Sequence, residues 1–212
     1  MQRSLVGSEM CKETGTDITA LYESAGATVL NYEYKDITIN SQPLRIGGIY
    51  GYCLPDKYLE TGEADPGECK FLWEFENTDR YKILLSHLPI AWLKNDGLEE
   101  WDIDCVFSGH LHGGQVILPG IGGVYAPDMG WFPGQLKGIF DSEDRKRHLV
   151  LSSGLGNTEL VPRFNNIPEI VCVELMPDET FIKHKNNTEP DSDAWKSDSV
   201  RYMQRPYTNS VH

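Results

Sequence analysis

Apolar positions along this chain fall into short helical stripes and short strand-like runs. Ile18, Leu21 and Tyr22 recur at helical spacing within Asp17–Ala25, with Thr16 or Asp17 placed to cap the start and Gly26 to close the end. Thr28–Leu30 and Ile37–Ile39 read as short strands. A turn over Asn40-Ser41-Gln42-Pro43 then leads into Leu44–Tyr50, an apolar run suited to a buried strand. Residues 51–67 carry Gly, Pro and acidic side chains and predict a surface loop, and Glu68–Phe75 predicts an amphipathic helix through Phe71, Leu72 and Phe75. The remaining expected strands are Tyr81–Leu85, Ile103–Phe107, Val116–Leu118, Leu149–Ser152 and Ile170–Leu175. From about His184 the chain is polar and poor in aliphatics, which predicts a loosely ordered tail over 184–212.

Two of these runs share one form. Tyr81–Leu85 stops at Ser86-His87-Leu88-Pro89, and Ile103–Phe107 stops at Ser108-Gly109-His110-Leu111-His112-Gly113-Gly114-Gln115. Apolar strands that break into polar, glycine-containing loops are where enzymes commonly place their chemistry. In extended backbone, His110 and His112 would project to one side with Cα atoms about 6.5 Å apart, able to serve one metal or one each of two metals about 3.5–4 Å apart. Glycines 109, 113 and 114 allow a tight turn and close approach of backbone to a bound ion. Neutral imidazole suits Zn, Mn, Fe or Ni, so His87, His110 and His112 are the candidate metal ligands. A lone histidine at a strand end commonly serves only as a hydrogen-bonding residue; His87 is a candidate because of the second loop.

The other three histidines are not candidates. His148, in the charged run DRKRH, reads as part of a solvated turn, and His184 and His212 lie in or beside the polar tail. Trp92 and Trp101 are assigned to packing. Trp131 and Phe132, in YAPDMGWFPG, either line a pocket or pack under their loop.

Composition narrows the partners. The chain has 212 residues and is 40% apolar, enough for one compact domain or a little more. Acidic residues outnumber basic ones by 32 to 19, a formal charge of −13, which opposes nucleic-acid binding through a basic face. A phosphate substrate would have to be attracted locally, most simply by bound metal ions. No run approaches the roughly 18–20 apolar residues of a membrane span, and no signal segment opens the chain. The 5 cysteines are widely spaced and odd in number, which suits reduced thiols and excludes a Cys-rich zinc site. Asn186-Asn187-Thr188 matches a glycosylation sequon, a pattern short enough to arise by chance.

Ser86-His87-Leu88-Pro89 and Gly109-His110-Leu111-His112 resemble the last two motifs of the calcineurin-like metallophosphoesterase superfamily. Gly113-Gly114-Gln115 with Leu118-Pro119, Ser153-Gly154-Leu155-Gly156-Asn157 and Pro162-Arg163-x-x-Asn166-x-Pro168-Glu169 resemble one bacterial branch of it, and the likeness runs from about residue 17 to 176. The resemblance implies an α/β (α+β) fold, part of a four-layer α-β-β-α sandwich with mixed sheets. It implies two divalent metal ions (Mn, Fe or Zn), with His87 and His110 on the second and His112 on the first. The implied activity is hydrolysis of a phosphomonoester or phosphodiester by a dimetal-bound hydroxide, and no protein nucleophile is assigned.

The chain also departs from that pattern. It contains no Asp-x-His and no Gly-Asp dipeptide, and Gly156-Asn157-Thr158-Glu159 imitates a third family motif with Thr in place of His and in the wrong order. Ser153 stands where related sequences usually show Arg. Residues 1–183 are therefore expected to be the C-terminal part of the domain, with an N-terminal half missing as partner. The alternative is a truncated, non-catalytic remnant or interaction module. A half-sandwich would leave strand edges and an apolar face uncovered, and so be marginally stable. Localisation is expected to be cytoplasmic, or membrane-associated if an upstream anchor exists.

Overall fold

The computed structural model describes residues 18–49, 61, 69–94, 96–126, 128–156, 162–175 and 200–206. The expected loop over 51–67 (residue 61 apart), the sequon, Cys11, Cys53, His184 and His212 lie outside the described residues.

In chain order, α1 (Ile18–Ser24) precedes the hairpin β1 (Glu33–Ile39) and β2 (Gln42–Ile49). Next come α2 (Lys70–Glu76), β3 (Tyr81–Ser86), the single turns α3 (Ile90–Leu93) and α4 (Gly97–Glu100), and β4 (Cys105–Ser108). Two small ribbons follow, β5 (Ile117–Leu118) with β6 (Gly122–Gly123) and β7 (Tyr125–Ala126) with β8 (Gly130–Trp131). The last strands are β9 (Gly138–Asp141), β10 (His148–Leu151), β11 (Glu169–Leu175) and β12 (Val200–Pro206).

The main sheet has 6 strands in the order β1-β2-β3-β4-β10-β9. β2, β3, β4 and β10 run parallel, and antiparallel β1 and β9 close the two edges, so the sheet is mixed. Parallel strands covered on both faces read as near-continuous apolar runs, which is why YKILL and HLVL carry so few polar residues. Alternate residues serve opposite faces. On one face Leu84, Val106 and Leu149 pack against Leu72 and Phe75 of α2, Trp92 of α3, Leu98 of α4, and Trp101. On the other, Leu44, Tyr81, Cys105 and Val150 meet Val171, Val173 and Leu175 of β11. Both tryptophans assigned to packing are buried. Among the described residues, then, helices cover one face of the sheet and β11 lies against the other, and no helix is long and apolar enough to cross a membrane.

Local chemistry explains where the elements start and stop. Gly26, at φ +81°, closes α1 as expected. The hairpin turn narrows to Asn40 and Ser41, both at positive φ, the two-residue form whose twist matches its strands. Gln42 and Pro43 therefore belong to β2 and not to the turn; pairing of β2 with β3 begins only at Leu44, so the missing Pro43 N–H leaves that ladder intact. Thr28–Leu30, expected as a strand, is irregular chain lying against β2, where the Leu30 carbonyl sits 2.5 Å from a Cβ placed on Gly48. Arg45, the one charge inside LRIGGI, is buried but grips Asp36 with two hydrogen bonds of 2.7 and 3.0 Å and donates to the Glu74 and Phe75 carbonyls at the end of α2.

One expectation on the later chain also changes. His148 is not in a solvated turn: it is buried at the start of β10 with Nδ1 2.8 Å from Asp141 Oδ1. The basic residues before it are local, whereas the strand it opens pairs with β4 and β9 across the sheet. Residues Val200–Pro206, within the stretch read as a loose tail, form β12 antiparallel to β11. Cys69, Cys105 and Cys172 are free thiols.

Gly47 sets the distance between β2 and α2. A Cβ there would stand 2.5 Å from Phe75 Cε2, and Phe75 is fully buried. Gly47→Ala is expected to cost about 1–3 kcal/mol through overpacking. In a thermal melt that is a fall of about 2–4 °C per kcal/mol for a chain of this size; an unchanged midpoint would show that Phe75 gives way freely.

Candidate functional site

The site begins where β3 and β4 end. Both strands run parallel, and ligands of open α/β sheets gather beyond such carboxyl ends. His87 directly follows β3 and is buried; its backbone N–H donates to the Ile49 carbonyl at the end of β2, and its carbonyl accepts from Gly109 N–H at 3.2 Å. These two contacts hold the first loop between β2 and the second loop. His110 lies just beyond β4, and the His87 and His110 rings meet edge to face with centroids 5.1 Å apart.

The backbone of the second loop is not extended. His110 (φ +66°), His112 (φ +47°) and Gln115 (φ +55°) all sit in the left-handed region, and His112–Gly114 form a 3-10 turn. The same-side projection of residues i and i+2 in a strand therefore does not apply here. Histidine tolerates this conformation better than most side chains, and strain of this kind concentrates at functional loops. Gly113 and Gly114 continue the left-handed path at φ +64° and +78°. Leu111, between the histidines, anchors the loop by packing with Ala126 and Leu151 beneath it.

The loop is also clamped from above. Asn166, itself buried, donates through Nδ2 to the His112 carbonyl at 2.7 Å and to Gly113 O at 3.3 Å. Arg163 Nη1 donates to the same His112 carbonyl at 3.2 Å, while its Nε and Nη2 reach Gly156 O at 3.0 and 2.7 Å, Gly154 O at 3.2 Å, and Ser153 O. Burial lowers the Arg163 pKa from its ordinary value, with Glu169 acting against that shift. Ser153 is buried, and its backbone N–H donates to Glu169 Oε1 at 2.9 Å. Gly156 stands beside His112: a Cβ on it would lie 3.7 Å from His112 Cε1. Asn157, Thr158 and Glu159 of the imitation motif lie outside the described residues.

Asp128 is the residue that sequence reasoning passed over. It follows β7, in the turn that leads to β8, at φ +61°, and its Oδ2 lies 3.2 Å from His110 Nε2. No spacing rule links it to the histidines; the only signal was a carboxylate inside the loop YAPDMGWFPG. Trp131 and Phe132 of that loop are exposed, at 71% and 59%, so neither packs under it. Trp131 instead stacks edge to face on Tyr125 at 5.3 Å.

Two imidazoles and a carboxylate are the right kinds of donor for a divalent transition metal. The structure brings His87, His110 and Asp128 into one chain of contacts and places His112 beside Gly156. Among the described residues, no group of three or more His, Cys, Asp or Glu side chains stands in metal-ligand geometry. The residues present thus fit part of a metal centre, its paired imidazoles, and not a complete coordination sphere.

Over 95 residues the chain is 35% identical to YkuE, an uncharacterized metallophosphoesterase of Bacillus subtilis (strain 168). The match covers 45% of this chain and 31% of that protein, so the chain spans about a third of the curated relative it resembles. No family profile matches the chain. No solved structure matches it either.

Proposed function

We propose that this chain is the C-terminal half of a bacterial metallophosphoesterase domain of the Gly-His-x-His-Gly-Gly-Gln branch, and that it hydrolyses a phosphomonoester or phosphodiester at a divalent-metal centre. The observation that carries this reading is the meeting of His87 and His110, 5.1 Å apart, beyond the ends of two adjacent parallel strands. The 35% identity to a metallophosphoesterase supports it. His87 and His110 would hold one ion, and His112, whose carbonyl Arg163 and Asn166 clamp, would hold a second. When bound, the ions would activate water and neutralise the charge that develops on the phosphoryl oxygens. Against a net charge of −13, that local positive charge is also what would draw in a phosphate ester.

The chain's own residues shape the place. Leu88 and Leu111, the neighbours of the histidines in the chain, are buried and anchor the two loops. The clamp on the His112 carbonyl keeps the loop from relaxing out of its left-handed path. On this reading the remaining ligands and the other layers of the sandwich come from an N-terminal half that carries the Asp-x-His, Gly-Asp and Gly-Asn-His motifs.

A second reading, a non-catalytic module that keeps only part of the site, is favoured by the incomplete ligand set among the described residues. Elemental analysis of the purified chain, and hydrolysis of an aryl phosphodiester in Mn²⁺ by the chain supplied with such an N-terminal half, separate the two. Bound metal in the chain alone and turnover once the other half is supplied, both lost in His110→Ala, is the expected result. Metal-free protein, and no turnover with the other half present, would remove the catalytic reading and leave the module.

A further inference from the structure

His110 has one nitrogen against a carboxylate. Its Nε2 lies 3.2 Å from Asp128 Oδ2, within the range for an N–H···O hydrogen bond, while its Nδ1 is buried. An ionised carboxylate accepts and does not donate, so in the neutral ring the hydrogen belongs on Nε2 and the lone pair on Nδ1. Histidines that bind metals characteristically use one nitrogen for the ion and give the other N–H to a carboxylate, which fixes both tautomer and ring orientation.

We propose that Asp128 is a positioning residue for the metal centre, holding His110 as the Nε2–H tautomer and so presenting Nδ1 as its metal-binding nitrogen. This rests on the reading of His110 as a ligand. The fold makes the arrangement stiff at both ends. Asp128 sits in the turn of the β7–β8 ribbon, whose Ala126 is fully buried against Leu111, the residue next to His110. Ribbon and loop are thus packed together, and the carboxylate is carried to the ring by the same contact that anchors the ring's own backbone. The His87 ring, 5.1 Å away, limits how far His110 can rotate to offer the other nitrogen.

The test needs two variants because Asp128 has a positive φ. Asp128→Gly removes the carboxylate and suits that backbone; Asp128→Asn keeps an oxygen that accepts the Nε2 hydrogen and also tolerates the conformation. Nitrogen-15 shifts of the His110 ring in metal-free protein read the tautomer directly, and Zn²⁺ titration calorimetry reads the affinity. Wild type should show the Nε2–H form. Asp128→Gly should lose that preference and bind Zn²⁺ about 10–100-fold more weakly, with Asp128→Asn recovering most of both. An Nδ1–H ring in wild type, or a tautomer and affinity indifferent to Asp128→Gly, would overturn the proposal while leaving the metal centre standing. An Asp128-dependent tautomer in a wild-type chain that takes up no Zn²⁺ would instead overturn the metal reading, and the ligand role of Nδ1 with it.

Discussion

Replacing Arg163 with alanine is expected to lower the unfolding free energy by about 3–4 kcal/mol, more than any single surface contact in this chain could account for. One guanidinium serves four backbone carbonyls, those of His112, Ser153, Gly154 and Gly156, from two separate loops. Hydrogen bonds from a charged donor contribute about 1.5–3 kcal/mol each, and carbonyls left without a donor add their desolvation cost, but the four are not independent and do not sum. Asn166 still holds the His112 carbonyl in the variant, which is why the loop loosens and does not melt. Arg163→Lys should recover less than half of the loss, because a single ammonium cannot span a fork of acceptors. Urea denaturation gives the energy, and hydrogen exchange at the amides of Gly113 to Gln115 reports whether the loop has loosened. A shift below about 1 kcal/mol with unchanged exchange would show that Arg163 merely rests on the surface of the loops.

The second large effect lies at the opposite end of β3 and β4 from the histidines. Asp104 is half-buried, its Oδ2 accepts the Lys82 N–H at 2.7 Å, and Lys82 Nζ, 4.0 Å away, is committed to Asp102 at 2.8 Å. Burial pushes the Asp104 carboxyl up to about 6, against the Lys82 contacts that pull it down. In the unfolded chain it titrates at about 3.9, so the folded state holds its proton more tightly. The stability from this group is therefore full below about pH 4 and is lost as pH rises through about 6, a total of about 3 kcal/mol. Glu76, raised by burial nearby, acts in the same direction, while Asp36, lowered by its hydrogen bonds to Arg45, acts in the other. Comparison with Asp104→Asn isolates the one term, since asparagine stands in for the protonated acid. The variant should be the more stable protein at pH 8, by about 2–3 kcal/mol, and the two should converge near pH 4. A variant less stable than wild type at pH 8, or a difference that does not change with pH, would mean that the Lys82 pairing outweighs desolvation.

Much of the fold was legible along the chain. Several core strands were legible because Tyr81–Leu85 and Leu149–Leu151 are largely apolar, as strands covered on both faces require. The helical stripe of Phe71, Leu72 and Phe75 gave α2, since its spacing puts Leu72 and Phe75 on one buried face. His87, His110 and His112 could be singled out because two strands end in the same abrupt change of polarity. What failed were judgements about single residues whose partners lie far along the chain. His148 looked solvated because its neighbours are basic, yet Asp141 and the adjoining strands decide its burial. Thr28–Leu30 had strand-like letters and no place in the sheet, because β1 already pairs with that side of β2.

The sequence by itself singled out the candidate histidines, and the tertiary structure decided what lies against them. Composition and the His-containing strand ends need no partner to be read, since period and polarity are local properties. Which imidazole lies against which is not local. His87 and His110 touch because β3 and β4 are adjacent, His112 opens the 3-10 turn that follows Leu111, and Asp128 arrives through a ribbon packed on that same leucine. Contacts of that kind depend on strand order and on backbone paths that few side chains adopt, and neither leaves a periodic mark in the letters of the chain.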